Sequence, residues 1–186
     1  VISPVFNELE NLETFVESVT AVMNSTNMSW ELIIVDDGSN DGSSKILKKI
    51  GHQENIRSIL LSKNYGQTTA IQAGFDNAVG EYFVTLDSDL QNDPKDIPML
   101  IQKLINEELD LVVGWRKDRK DNYFFRNLPS ILANKLIGTI TGVKLHDYGC
   151  SLKVYRAEVL KEVKLYGEMH RFIPVSYTHL RAHETR

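Results

Sequence analysis

Tyr82-Phe83-Val84-Thr85-Leu86-Asp87-Ser88-Asp89-Leu90-Gln91-Asn92-Asp93-Pro94 is the stretch on which the fold turns. Its first five residues are aromatic, β-branched or aliphatic and read as a strand running straight into two carboxylates. Asp93-Pro94 predicts an N-cap followed by proline at the first helical position. Ile97, Leu100, Ile101, Leu104 and Ile105 then fall at the spacing of one buried helical face, and Leu109–Val113 reads as the next strand. The same alternation runs backwards to the first residue. Val1–Val5 is a strand, and Asn7 with Glu10 three residues on resembles a capping box. Leu9, Leu12, Phe15, Val16, Val19, Val22 and Met23 give the helix that follows its apolar stripe. Leu32–Val35 is a second strand, Ile46, Leu47 and Ile50 mark a short helix, and Ile56–Leu61 is a third strand. Thr68–Val79 reads as a helix stopped by Gly80.

Strands and helices alternating in this way predict right-handed βαβ units, an α/β Rossmann-like fold with a mostly parallel sheet and helices on both faces. The strands are nearly continuous apolar runs, as required when both sheet faces are covered. Ligands in such sheets bind beyond the carboxyl ends of the strands. That rule selects Ser3–Glu8, Asp36–Asp41, Ser62–Gln67, Asp87–Asp93 and Gly114–Arg119. Beyond residue 115 the pattern changes. Arg116–Asn122 is charged and reads as a loop. Tyr123–Ile140 is a partly apolar helical stretch around Pro129, suited to packing on the sheet or to meeting a lipid surface. Val143–Leu145 and Ser151–Tyr155 read as further strands. The text after Pro174 resembles a translated sequencing-adapter read-through, so residues 1–175 are expected to form one domain and 176–186 a non-native tail.

The bulk properties narrow the function. A chain of 186 residues that is 42% hydrophobic and 25% charged is ordinary globular material of one-domain size. A net charge of −4 argues against a general nucleic-acid binder. The single cysteine, Cys150, cannot form an internal disulfide and reads as a small buried apolar residue. No apolar run is long enough to span a bilayer.

Asp87 and Asp89 are the centre of the candidate chemistry. A D-x-D triplet is common by chance, and its bland reading is a solvated acidic turn. Its place at a strand's carboxyl end gives it value, because hard divalent cations prefer such oxygen ligands and retain waters and substrate phosphates. Gln91 could add a carbonyl oxygen. Asp36-Asp37-Gly38-Ser39 ends another strand, where one aspartate could accept from a base N–H or a ribose hydroxyl. The chain has no G-x-G-x-x-G, which weakens a dinucleotide reading, and no G-x-x-x-x-G-K-[ST], which weakens an NTPase reading. The acidic Asn7-Glu8-Leu9-Glu10 replaces the basic, glycine-rich loop a nucleotidyltransferase would need.

Five motifs occur in order: Pro4-Val5-Phe6-Asn7-Glu8, Val35-Asp36-Asp37-Gly38-Ser39, Asn64-Tyr65-Gly66-Gln67, Leu86-Asp87-Ser88-Asp89-Leu90-Gln91 and His146-Asp147-Tyr148-Gly149-Cys150-Ser151. Together they resemble glycosyltransferase family 2, in its polyprenyl-phosphate, dolichol-phosphate mannosyltransferase-like branch. The resemblance implies a GT-A fold, a UDP- or GDP-sugar donor, Mg²⁺ or Mn²⁺, and inverting transfer to a lipid-phosphate acceptor at the inner face of a cell membrane. By motif match Pro4, Glu8 and Asp37 would contact the nucleotide. Asp87, Asp89 and Gln91 would hold the metal and the donor diphosphate. Arg116 and Arg126 would meet donor or acceptor phosphates, with Arg116 stabilising the leaving group, and Asp147 would stand at the acceptor. Arg156 is a further candidate. Two readings compete: a family 2 transferase acting on a polysaccharide or other hydroxyl acceptor, and a non-catalytic nucleotide-sugar-binding domain.

Overall fold

The computed structural model describes residues 1–115 and 149–160 and the backbone of 182–185. Its elements are β1 (Ile2–Val5), α1 (Leu9–Asn24), β2 (Leu32–Asp36), α2 (Ser43–Ile50), β3 (Ile56–Leu60), α3 (Gln67–Asn77), β4 (Tyr82–Thr85), α4 (Asp96–Asn106), β5 (Leu111–Gly114), β6 (Lys153–Arg156), α5 (Ala157–Leu160) and β7 (Ala182–Thr185). The strands form one sheet in the order β3-β2-β1-β4-β6-β5-β7. All pairings are parallel except those of β6, which runs antiparallel to both β4 and β5. The expected mostly parallel α/β sheet is therefore present. The antiparallel insertion of β6 was not foreseen, and neither was β7, which pairs with β5 from within the stretch left out of the sequence-based assignment.

Both faces of the sheet are covered. Successive side chains on a strand point to opposite faces, and all five residues of β2 are buried. α1 turns Leu12, Phe15, Val16, Val19 and Met23 inward, and α4 turns Ile97, Leu100, Ile101 and Leu104 inward. Ile105 and Leu9, expected on these stripes, lie at their margins and are exposed. α3 lies close against β1: a Cβ on Gly74 would stand 2.3 Å from Ile2 Cγ2. The next residue, Phe75, stacks on Phe83 with ring centroids 5.7 Å apart and meets Tyr155 edge-on.

The helix starts depart from the expected caps, for an instructive reason. Asn7 does not cap α1. It sits in the left-handed region at φ 57°, and Glu8 occupies the cap position with no side-chain cap bond. The N–H of Leu9 donates instead to Asp41 Oδ2 at 2.9 Å, from a loop 32 residues away. Asn7 donates its own N–H to Ser39 Oγ and accepts from the N–H of Asn40, each at 2.9 Å. Asp41 also accepts the N–H of Ser43 at the start of α2. One aspartate thus caps two helices and staples the loops after β1 and β2 together. α4 begins at Asp96 rather than at Pro94, because Asp93 closes a turn on the N–H of Lys95 first. α3 stops at Ala78, which turns extended two residues before Gly80.

Burial opposes the charge on Asp41, but the hydrogen bonds from Ser43 and Leu9 outweigh it and hold this carboxyl below its ordinary value. A depressed folded-state value contributes stability that is present above the unfolded value and lost as pH falls through the folded one. Asp41→Ala is expected to lower stability by about 1–2 kcal/mol, the range for a lost N-cap. Urea titration at neutral pH checks the loss. Repeated in acid, the gap between variant and wild type should narrow.

Candidate active site

β1 lies in the middle of the parallel sheet. The chain builds β2 and β3 outward on one side of it and then returns to place β4 on the other. Loops leaving β1 and β4 therefore diverge, and the crevice between them is where an open α/β sheet takes its ligand. A cleft of about 280 Å³ opens there. Pro4, Phe6 and Glu8 line it from the end of β1, and Asp37 from the end of β2. Asn64 and Gly66 come from the loop after β3, Gln67 from the first position of α3, and Asp87, Ser88 and Asp89 from the end of β4.

On one side of the cleft Asp37 is a latch. Its carboxylate accepts the N–H of Tyr65 at 2.7 Å on Oδ1 and the N–H of Gly66 at 2.8 Å on Oδ2. Its own N–H is tied to the Val5 carbonyl at 2.8 Å. The residue is only 3% exposed. Gly38 makes the close approach possible: at φ 73° its position would put a Cβ 2.4 Å from the carbonyl carbon of Lys63, so only glycine fits. Asp36 serves the turn itself, accepting the N–H of Ser39 at 3.0 Å and the hydroxyl of Ser44.

On the other side the acidic turn is fixed at several points. Gln67 Nε2 donates to Asp87 Oδ1 at 2.8 Å. The N–H of Asp87 reaches Ser151 Oγ at 3.4 Å, and Asn92 Nδ2 donates to the same oxygen at 2.9 Å. Thr85 Oγ1 donates to the Ser151 carbonyl at 2.8 Å. Asp89 accepts the N–H of Gln91 at 3.1 Å across a turn in which Leu90 adopts φ 60°.

These donors fit a hard divalent cation. Asp87 and Asp89 present carboxylate oxygens to one cleft, and the turn bond engages only one oxygen of Asp89. Among the described residues no group of three His, Cys, Asp or Glu could enclose a metal. Two carboxylates completed by water and substrate phosphates is the pattern Mg²⁺ commonly takes, in contrast to an all-protein cage.

The cleft thus brings together Pro4, Glu8, Asp37, Asp87 and Asp89. Gln91 is exposed on the turn and is not part of the cleft lining. Arg116, Arg126 and Asp147 lie outside the described residues, as do the expected helix over Tyr123–Ile140 and the strand Val143–Leu145. Arg156 does not belong to the cleft. Because β6 is antiparallel, Arg156 pairs with Tyr82 at the opposite end of β4, and its Nε donates to the Leu109 carbonyl at 2.8 Å. Sequence reasoning assigned no role to Asn64, Gln67, Ser88 or Ser151. The signal was available for Gln67, which follows β3 at a strand's carboxyl end. Cys150 is buried at 1% exposure, as expected.

Residues 1–164 match the family model described as glycosyl transferase family 2. The chain is 57% identical over 173 residues to a dodecaprenyl-phosphate galacturonate synthase of Rhizobium johnstonii, covering 92% of this chain and 51% of that protein. It is 40% identical over 177 residues to an undecaprenyl-phosphate 4-deoxy-4-formamido-L-arabinose transferase of Salmonella paratyphi A, covering 94% of this chain and 54% of that protein. The chain therefore spans about half the length of the curated relatives it matches. Its fold superposes with a TM-score of 0.73 on a glucosyl-3-phosphoglycerate synthase from Mycobacterium tuberculosis in complex with Mn²⁺, UDP-glucose and phosphoglyceric acid, at 18% identity over 98% of this chain and 67% of that one. Among the described residues no helix is long and apolar enough to cross a membrane.

Proposed function

The chain belongs to glycosyltransferase family 2, and from that premise we propose that it moves a sugar from a UDP- or GDP-sugar to a polyprenyl-phosphate acceptor with inversion. The observation that carries the reading is the meeting of Asp37, Asp87 and Asp89 in one cleft at the switch point of the sheet. The nucleoside would lie toward Pro4, Glu8 and Asp37. The latch bonds on Asp37 leave lone pairs on both carboxylate oxygens, since each can accept twice, so a base or ribose contact is compatible with them. The diphosphate would lie toward Asp87 and Asp89, which would hold Mg²⁺ or Mn²⁺. The cation would supply charge neutralisation for the departing diphosphate. Gln91, on the exposed turn, would reach that site only through its side-chain oxygen.

In the reaction the bond from the anomeric carbon to the diphosphate oxygen breaks. An oxygen of the acceptor phosphate forms the new bond from the opposite face, and the nucleoside diphosphate leaves. A phosphate acceptor is already an anion at neutral pH and needs little base assistance. Asp147 would orient it, while Arg116 and Arg126 would offset the phosphate charge. The acceptor class draws support from the names of the two relatives, both polyprenyl-phosphate sugar enzymes. The cation draws support from the M. tuberculosis synthase, which binds Mn²⁺ with UDP-glucose. A polyprenyl acceptor also implies work at a membrane surface, on its cytoplasmic side where nucleotide sugars are found.

The test is a transfer assay with labelled UDP- and GDP-sugars, offering polyprenyl phosphate in detergent micelles beside soluble sugar acceptors. The expected product is the polyprenyl-phosphate sugar with inverted anomeric configuration. Transfer to hydroxyl acceptors alone would contradict the lipid-phosphate reading. Stabilisation by nucleotide sugars without any turnover would favour a binding domain.

A further inference from the structure

We infer that Gln67 is a positioning residue for the cation-binding carboxylate Asp87. The inference rests on the reading that Asp87 holds a divalent cation. Gln67 is the first residue of α3 and lines the cleft beside Asp87. Its Nε2 lies 2.8 Å from Asp87 Oδ1. Only the NH₂ end of an amide can donate to a carboxylate, so the orientation of the Gln67 side chain is determined. The bond holds Oδ1 from the α3 side, while the backbone N–H of Asp87 is tied to the hydroxyl of Ser151, two residues before β6. The first contact orients the carboxylate and the second anchors the backbone that carries it.

The donor is suited to this task because it is neutral. A lysine or arginine at position 67 would compete with the cation for Asp87, and a residue without an N–H would leave the carboxylate to swing. The position of Gln67 is itself fixed. The two residues before it, Tyr65 and Gly66, donate their N–H groups to Asp37. Asp37 thus acts at a distance on the far side of the cleft: it clamps the loop, the loop places Gln67, and Gln67 orients Asp87. Partners that orient a ligating side chain typically contribute about 10–100-fold in metal affinity.

The experiment measures Mn²⁺ affinity by the loss of the free-ion electron paramagnetic resonance signal, at saturating UDP and separately at saturating GDP. It compares wild type, Gln67→Met, which keeps length but loses the donor, and Gln67→Ala, which removes the side chain from a helix start. Nucleotide affinity in EDTA and the thermal midpoint are measured alongside. The expected result is Mn²⁺ affinity about tenfold weaker or more in both variants, with metal-free nucleotide affinity within about twofold of wild type and a folded protein. Unchanged Mn²⁺ affinity in the folded variants overturns the inference. So does an equal fall in metal-free nucleotide affinity, which would make Gln67 a nucleotide contact. If wild type binds no Mn²⁺ with either nucleotide, the cation reading of Asp87 itself fails and the inference goes with it.

Discussion

Asp89→Ala is expected to lower donor turnover by about 10³-fold while leaving the fold intact. The cation at this site would neutralise charge developing on the departing diphosphate, a contribution of several kcal/mol, and about 4 kcal/mol corresponds to about three decades of rate. The structural consequence is small by comparison. The hydrogen bond seen at Asp89 comes from the N–H of exposed Gln91, and water can replace it, so the stability change should stay within about 1 kcal/mol. Steady-state kinetics with saturating Mn²⁺, beside a urea titration of the same sample, separates the two effects. Wild-type-like turnover in the variant would remove Asp89 from the cation site.

Asp37→Ala is expected to damage both fold and ligand binding. Its carboxylate joins β2 to the loop after β3 through two backbone N–H groups. Hydrogen bonds to a charged group contribute about 1.5–3 kcal/mol each, so removal should cost about 3 kcal/mol or more, read as a lower urea midpoint. Asp37→Asn keeps one acceptor oxygen and should lose roughly half of that. The affinity for nucleoside diphosphate should fall in both variants, because the loop that lines the cleft is no longer latched. Unchanged stability in Asp37→Ala would contradict the latch.

These two aspartates show how far the sequence could be read. Apolar periodicity reports which faces are buried, and it located β1 to β5 and α1 to α4 to within a few residues. The rule that ligands bind at the carboxyl ends of strands then placed Asp37, Asp87 and Asp89 at one end of the sheet, where the structure gathers them. Periodicity does not report partners. That Leu9 is capped by Asp41 rather than by Asn7 depends on two loops meeting across 32 residues. That Gln67 grips Asp87 depends on α3 lying beside the end of β4. Strand direction was illegible for a related reason. Lys153–Arg156 reads the same whether it joins the sheet parallel or antiparallel, and its antiparallel course is what carries Arg156 away from the cleft and sets Ser151 against the acidic turn. The expectations for Gln91, Arg116, Arg126 and Asp147 rest on motif resemblance and stand as proposals.

The proposed function requires the cleft between β1 and β4 to hold a nucleoside diphosphate through a divalent cation on Asp87 and Asp89. Calorimetric titration of UDP and of GDP into the protein, with Mn²⁺ and then with EDTA, tests it most directly. One nucleotide should bind at least about tenfold more tightly with Mn²⁺, which is about 1.4 kcal/mol, and Asp89→Ala should abolish that difference. Binding of neither nucleotide, or binding that is indifferent to Mn²⁺ and to the loss of Asp89, would contradict the claim.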